Sequence, residues 1–275
     1  MTRKISVVTT FHQAGYEKYG RRMIQTFLAN WPQHITLHVY AEKTPVTESA
    51  DNLQVHDLEA ECPGLLNFKS LYGHNPRYRG ETAFGPGNGR KIPGMGFRWD
   101  AIRFSHKVYA ICHAANHTGS DLVFWMDADM VCHSPISQGF IDEMVPEWAG
   151  VAYLGRRKKF TETGLYALNL TQSPTRELVA QMQACYDHAD IDLFTLTEWH
   201  DCWVFDTKRA LVQQRHPHWR QLDWSADLTM GEGHPLINTA WGDYLDHLKG
   251  DRKELGRSKR KDLVAPRSHG YWHHT

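Results

Sequence analysis

The stretch Leu122-Val-Phe-Trp-Met-Asp127-Ala-Asp129 sets two carboxylates, one residue apart, directly after an apolar run. A run of that length reads as a buried strand, and residues at i and i+2 point the same way while the chain stays extended. Two ionised acids held together repel one another unless a cation lies between them. Hard oxygen ligands of this kind suit Mg²⁺ or Mn²⁺, with phosphate oxygens able to complete the shell. In open α/β sheets ligands bind outside the carboxyl ends of the strands, which is where these acids fall. The plainer alternative is that the two acids cap a turn after a buried strand.

A second group of residues, far along the chain, complements the first. In His247-Leu-Lys-Gly250-Asp-Arg-Lys253 an imidazole offers a borderline ligand compatible with Mn²⁺. A glycine lets backbone come close to a ligand, and a lysine supplies a compact positive charge. The segment VFWMDADM resembles the D-x-D strand of GT-A fold glycosyltransferases, and the late segment is similar to the H-x-x-G-x-x-K motif of the retaining family 8 members. That resemblance implies that Asp127, Asp129 and His247 bind the metal, and that Gly250 and Lys253 hold the diphosphate, with Asp127 also on the donor. One departure is that Glu254-Leu255 stand where the family has Pro-Trp. His269, in the similar late loop RSHGYW, is therefore a rival third ligand.

The same resemblance assigns further expectations. Thr9, Thr10 and Phe11 end the first strand, where such enzymes hold base and ribose; a simple polar strand end is the alternative. Arg98, Asp100, Arg103 and Lys107 fall on or near one helix, and Arg103 is the expected donor contact. Asp100 and Arg103, three apart, could instead simply pair. Thr161-Glu162-Thr163-Gly164 resembles the family's F-N-x-G segment beside the donor sugar, with Glu162 where an Asn is usual. Glu198-Trp199-His200-Asp201 stands where the family carries an acidic and amide cluster near the anomeric carbon. Asp201 is expected there first and His200 second, against the alternative of a helix N-terminus whose acids favour its dipole.

The resemblance implies a metal-dependent transfer of a sugar from a nucleotide-diphosphate donor, a UDP-sugar foremost, to an acceptor hydroxyl. No residue clearly fits the general base of an inverting enzyme, and the resemblance favours retention. The acceptor is a glycan or another hydroxyl compound. Two basic clusters, Arg156-Arg157-Lys158-Lys159 and the run from Lys249 to Lys261, read as a solvated loop plus a diphosphate-binding lid. The sharper alternative is an anionic acceptor such as a hydroxymethylated DNA base or a phosphorylated glycan. Two rival functions are a nucleotidyltransferase and a non-catalytic carbohydrate-binding protein on a transferase scaffold. The first usually has a Gly-rich phosphate loop after its first strand, which TTFHQAGYEKYG does not supply. The second is opposed by the intact acids, histidine and lysine.

Composition sets the boundaries of this reading. The 275 residues suffice for a substantial core. Lys+Arg and Asp+Glu both number 31, so no global field draws the chain to nucleic acid or membrane. The N-terminal apolar run is too short for a signal peptide or a membrane span. Five cysteines, an odd count without a CxxC pair, argue against a disulfide framework or structural zinc and for a reducing, cytoplasmic setting.

The elements that must position these residues alternate in type. Ile5–Thr10 and Ile35–Tyr40 read as strands around a helix spanning Tyr16 to Phe27. A glycine-rich stretch over Gly80–Gly96 reads as a functional loop or lid. A helix from Trp99 to about His117 ends before Gly119. Further strands are expected at Val151–Leu154 and Tyr166–Leu170. Ser173 as N-cap, Pro174 and Glu177 in the first turn open a helix through Tyr186, and the basic tail reads as mobile. The expected whole is one GT-A domain over residues 1–275, an α/β fold with a mixed, mostly parallel, Rossmann-like sheet flanked by helices. A nucleotide-binding half covers 1–130, an acceptor and sugar half 131–248, and a basic C-terminal lid 249–275.

Overall fold

The computed structural model describes residues 3–82, 96–228 and 234–274. Residues 83–95 of the expected glycine-rich lid lie outside the described residues. The first strand, β1 (Ile5–His12), is β-branched and almost wholly buried, as a strand covered on both faces must be. It pairs in parallel with β2 (Thr36–Glu42) on one side and β4 (Leu122–Met126) on the other, and β2 pairs in parallel with β3 (Leu53–Asp57). Beyond β4 the sheet turns antiparallel through β7 (Lys159–Asn169) and β6 (Val151–Arg156), and β8 (Gln221–Asp223) closes that edge parallel to β6. The order is β3-β2-β1-β4-β7-β6-β8, a mixed, mostly parallel α/β sheet.

Alternate residues of each strand feed separate cores on the two faces. Leu122, Phe124 and Met126 enter one cluster with Phe27, Trp31 and Trp241. Val123 and Trp125 enter the other with Tyr166, Tyr186 and Phe205. The helices covering these faces are α1 (Arg21–Asn30), α2 (Pro63–Tyr72), α3 (Ala101–His117), α4 (Ser173–Asp187) and α5 (Asp201–Arg215). No helix among the described residues is long and apolar enough to cross a membrane.

Three local expectations are corrected. The helix expected to begin at Tyr16 is a wider π-type turn over Tyr16–Gly20 that leads into α1. The N-cap of α4 is Gln172 rather than Ser173, because the Gln172 carbonyl accepts the first amides of the helix, from Thr175 and Arg176 at 3.2 and 3.3 Å. Ser173 is thus already helical, and Glu177 falls beyond the first turn. The basic segment expected to be mobile is tied down. Arg252 grips Asp262 through Nε and Nη2 at 2.7 and 2.6 Å, and the Ser258 amide and hydroxyl both donate to buried Asp246 at 2.6 Å.

A small second ladder decides the position of the candidate site. After β4 the chain turns through Asp127–Asp129, closed by the Met130 amide on the Asp127 carbonyl at 3.1 Å, and enters β5 (Met130–Cys132). This strand pairs antiparallel with β9 (Leu245–His247), with Met130 opposite His247. The Leu248 amide donates to the Asp129 carbonyl at 2.9 Å. Backbone hydrogen bonds thereby bring the late histidine to the acid turn.

Candidate active site

At the carboxyl ends of β1, β2 and β4 lies a cavity of about 680 Å³. Thr10, Phe11, Arg103, Asp127, Asp129, Glu162, His200, Asp201, His247 and Lys253 all line it, so most of the residues expected from sequence converge on one space. Its position follows the rule for open α/β sheets.

At its centre the ligand atoms of Asp127, Asp129 and His247 lie within 4.8 Å of one another. His247 Nε2 is 3.0 Å from Asp129 Oδ1 and 3.6 Å from Asp127 Oδ2. Lys253 Nζ is 2.9 Å from Asp129 Oδ2. Burial pushes the Asp129 carboxyl up, but His247 and Lys253 outweigh it and hold the group well below the usual carboxylate range. The His247 ring is buried, and among the described residues its Nδ1 has no hydrogen-bond partner, with Glu162 Oε1 3.9 Å away. A proton on Nδ1, towards Glu162, leaves the Nε2 lone pair aimed at the aspartates, the arrangement a metal-ligating histidine needs. One nitrogen and carboxylate oxygens form a donor set that fits Mn²⁺ or Mg²⁺. The rival His269 sits apart from this group, with Nε2 3.1 Å from Ser134 Oγ and its ring beside His133.

Gly164 makes room for this histidine. A Cβ at that position would stand 2.4 Å from His247 Cε1 and 2.7 Å from Nδ1. The Gly164 carbonyl also accepts the Asp127 amide at 2.8 Å, so one residue of β7 fixes both ends of the cluster.

A buried lysine joins the first acid of the D-x-D turn, Asp127, to α5. Lys107 Nζ lies 3.0 Å from Asp127 Oδ1 and 2.8 Å from Asp201 Oδ2, and donates to the Thr163 carbonyl at 2.5 Å. Trp125 Nε1 donates to the same Asp127 oxygen at 2.7 Å, which leaves Oδ2 towards His247. Asp201, nearly inaccessible, also accepts from Thr163 Oγ1 at 2.5 Å. Burial pushes its carboxyl up, but the Lys107 charge prevails and keeps it below its ordinary value. Glu162, buried on β7, pairs with Lys249 and lies 3.6 Å from Arg156. Burial raises it too, and Lys249, His247 and Arg156 together hold it far below the carboxylate range.

Other expected residues are placed less centrally. Thr9 is fully buried and does not line the cavity, whereas Thr10 and Phe11 do. His200 is the N-cap of α5, where Nδ1 accepts the Trp203 amide at 3.4 Å while Nε2 meets Glu198 at 2.7 Å. Arg98 clasps the same glutamate at 2.7 Å. Asp100 caps α3 by accepting the Arg103 amide at 3.0 Å, and the Arg103 charge also acts on it. Gly250 has a left-handed φ of 61° with open space around it, at the turn between His247 and Lys253. Sequence reasoning passed over Lys107 in favour of Arg103, although the two are four residues apart and hence on one helical face. Tyr19, Glu42 and His106 also line the cavity without having been singled out for it, and Lys249, the first residue of the basic run, joins them.

No family model and no curated protein matches the sequence. Among solved structures, mouse xyloside xylosyltransferase 1 in its apo form aligns over 80% of this chain and 84% of its own, at 14% identity and a TM-score of 0.45. The apo structure of the bifunctional glycosyltransferase WbbM aligns over 81% of this chain and 39% of its own, at 12% identity and a TM-score of 0.42.

Proposed function

We propose that the chain is a metal-dependent glycosyltransferase of GT-A type that moves a sugar from a nucleotide-diphosphate donor, a UDP-sugar foremost, to an acceptor hydroxyl with retention. The observation that carries this reading is the meeting of Asp127, Asp129 and His247 with Lys253 at the carboxyl edge of a parallel half-sheet, inside a cavity. Asp127, Asp129 and His247 would hold a Mn²⁺ or Mg²⁺ ion, whose Lewis acidity would act on the leaving diphosphate. Lys253, with the backbone around Gly250, adds positive charge and close approach on the same leaving group. Asp201 and Glu162 remain ionised in the cavity wall and offset the positive charge that develops at the anomeric carbon. Lys107 positions Asp127 and Asp201 relative to one another.

In this reading residues 1–130 bind the nucleotide, residues 131–248 supply the sugar and acceptor side, and the basic segment 249–275 closes over the diphosphate. The acceptor is a glycan or another hydroxyl compound, and the setting is cytoplasmic. Thermal-shift screening of UDP-, GDP-, ADP- and CMP-sugars with and without Mn²⁺ tests the assignment. One donor is expected to raise the melting temperature only when Mn²⁺ is present, and to be hydrolysed slowly in the absence of acceptor. If no nucleotide shifts the melting temperature, the donor site is wrong. If one binds without any turnover, the chain is a binding module.

A further inference from the structure

Glu42 ends β2 and lines the cavity from the side opposite Glu162 in strand order, yet the reaction outlined above gives it no part. Its carboxylate is held from behind. Oε1 takes Lys69 Nζ at 2.6 Å and His106 Nε2 at 3.2 Å, and Lys69 is itself held by Glu59 at 3.1 Å. Both hydrogen bonds to the carboxylate among the described residues fall on Oε1, which leaves Oε2 to a ligand. The hydrogen bond from His106, against the opposing effect of burial, holds the group down at about 2, so it is an acceptor only.

The strand register locates this oxygen relative to the metal cluster. β1 lies between β2 and β4, with Thr10 opposite Tyr40 and Val8 opposite Trp125. Continuing that register sets Thr10 level with Asp127, so Glu42 stands two strand spacings across, roughly 10 Å, and two residues further along, about 7 Å. The two backbone positions are then about 12 Å apart, and their side chains close part of that gap. A nucleoside diphosphate bridged to Asp127 and Asp129 through a metal ion would have room for its ribose in this interval, which the cavity spans. A carboxylate at the end of the second strand of a parallel α/β sheet is well placed to take a ribose hydroxyl.

We propose that Glu42 Oε2 accepts a hydrogen bond from the ribose 2′-hydroxyl of the donor nucleotide, with His106 and Lys69 as its positioning residues. Glu42 thereby selects ribonucleotides over 2′-deoxyribonucleotides. This rests on the glycosyltransferase reading above. The ligand chemistry is a ribose diol whichever base it carries, so the test does not depend on the base.

The experiment is isothermal titration of the full chain, with Mn²⁺, using UDP, GDP, ADP and CDP and their 2′-deoxy counterparts. For the diphosphate that binds best, removal of the 2′-hydroxyl is expected to weaken binding about 10-fold or more, because a buried hydrogen bond to a charged group is lost. Glu42→Gln should shrink that ratio to about twofold while leaving the affinity for Mn²⁺-pyrophosphate intact. His106→Gln, which frees one of the two groups on Oε1, should reduce the ratio by a smaller factor and serves if Glu42→Gln does not fold. Equal binding of ribo and deoxy forms by the wild-type protein overturns the proposal, as does an unchanged ratio in the variants. A changed preference among bases at constant ribo-to-deoxy ratio also overturns it. If Mn²⁺ and pyrophosphate bind but no nucleoside diphosphate binds more tightly than pyrophosphate, the proposal fails while the metal and diphosphate site stands. If pyrophosphate fails to bind as well, the glycosyltransferase reading falls with it.

Discussion

Replacing Gly164 by alanine tests how tightly the candidate metal cluster is built. The new Cβ would stand 2.4 Å from His247 Cε1, whereas carbon atoms in contact sit about 3.5 Å apart or more. The ring must therefore retreat by about 1 Å. It is buried, and its backbone is pinned by the Met130–His247 pairing and by the hydrogen bond of His234 Nε2 to its carbonyl at 2.6 Å. Swinging the ring aside takes Nε2 away from Asp129 Oδ1, now 3.0 Å distant. Metal sites tolerate ligand displacements of only about 0.2 Å, so Mn²⁺ affinity should fall about 10- to 100-fold and transferase activity roughly 10²-fold. The overpacking itself should cost about 1–3 kcal/mol of stability. Calorimetric Mn²⁺ titration measures the first effect and urea denaturation the last. Gly139→Ala is the control, since its added Cβ meets only Ser137 Oγ at 3.9 Å. A folded Gly164→Ala protein with wild-type Mn²⁺ affinity would refute the assignment of His247 as a ligand.

Four other expectations are open to measurement. Asp129→Asn should abolish the Mn²⁺-dependent rise in melting temperature with nucleotide sugar, and chelation of divalent metal should do the same to the wild-type protein. Lys107→Met leaves the nearly inaccessible Asp201 carboxylate without its cation and should destabilise the fold by about 3–5 kcal/mol in urea denaturation. Burial, with the neighbouring His56, lowers His38 from an ordinary 6.5 to about 4, and burial, with His269, does the same for His133. Between those values the unfolded chain binds more protons than the folded one, so these groups favour folding above pH 6.5. Stability should fall as pH drops towards 4, by up to roughly 1.4 kcal/mol per pH unit for each histidine, measurable as a denaturation midpoint that declines on acidification. Finally, if the acceptor is anionic and gripped by Arg157 and Lys158, activity on it should drop steeply with added salt; a flat salt profile would exclude that acceptor class.

Much of the layout was legible because its signals are local. The β-branched run of β1 and the apolar run before Asp127 each form the strand expected of them, since burial on both faces of a parallel sheet demands such residues. The convergence of His247 on the aspartates was expected from resemblance, not from any local pattern. The backbone pairing of β5 with β9 that produces it spans short segments which carry no strand signal of their own. Lys107 was less legible. Its partners come from a strand end, a strand interior and a helix start, and no sequence spacing reports that three elements meet. The N-cap of α4 was misassigned because serine side chains favour that position in general, whereas here the Gln172 carbonyl, not a hydroxyl, receives the first helical amides.

The β5–β9 ladder has a consequence for the order in which the molecule acquires its capacities. The strands that carry Asp127 and Asp129 can form once the first two-thirds of the chain exist, but the imidazole arrives only with residue 247. A growing polypeptide thus carries the acidic turn without its histidine, and under the proposed metal role Mn²⁺ capture would be a late event of biogenesis. Metal uptake would then report completed folding, and a chain cut before β9 should keep much of its sheet yet never load its ion.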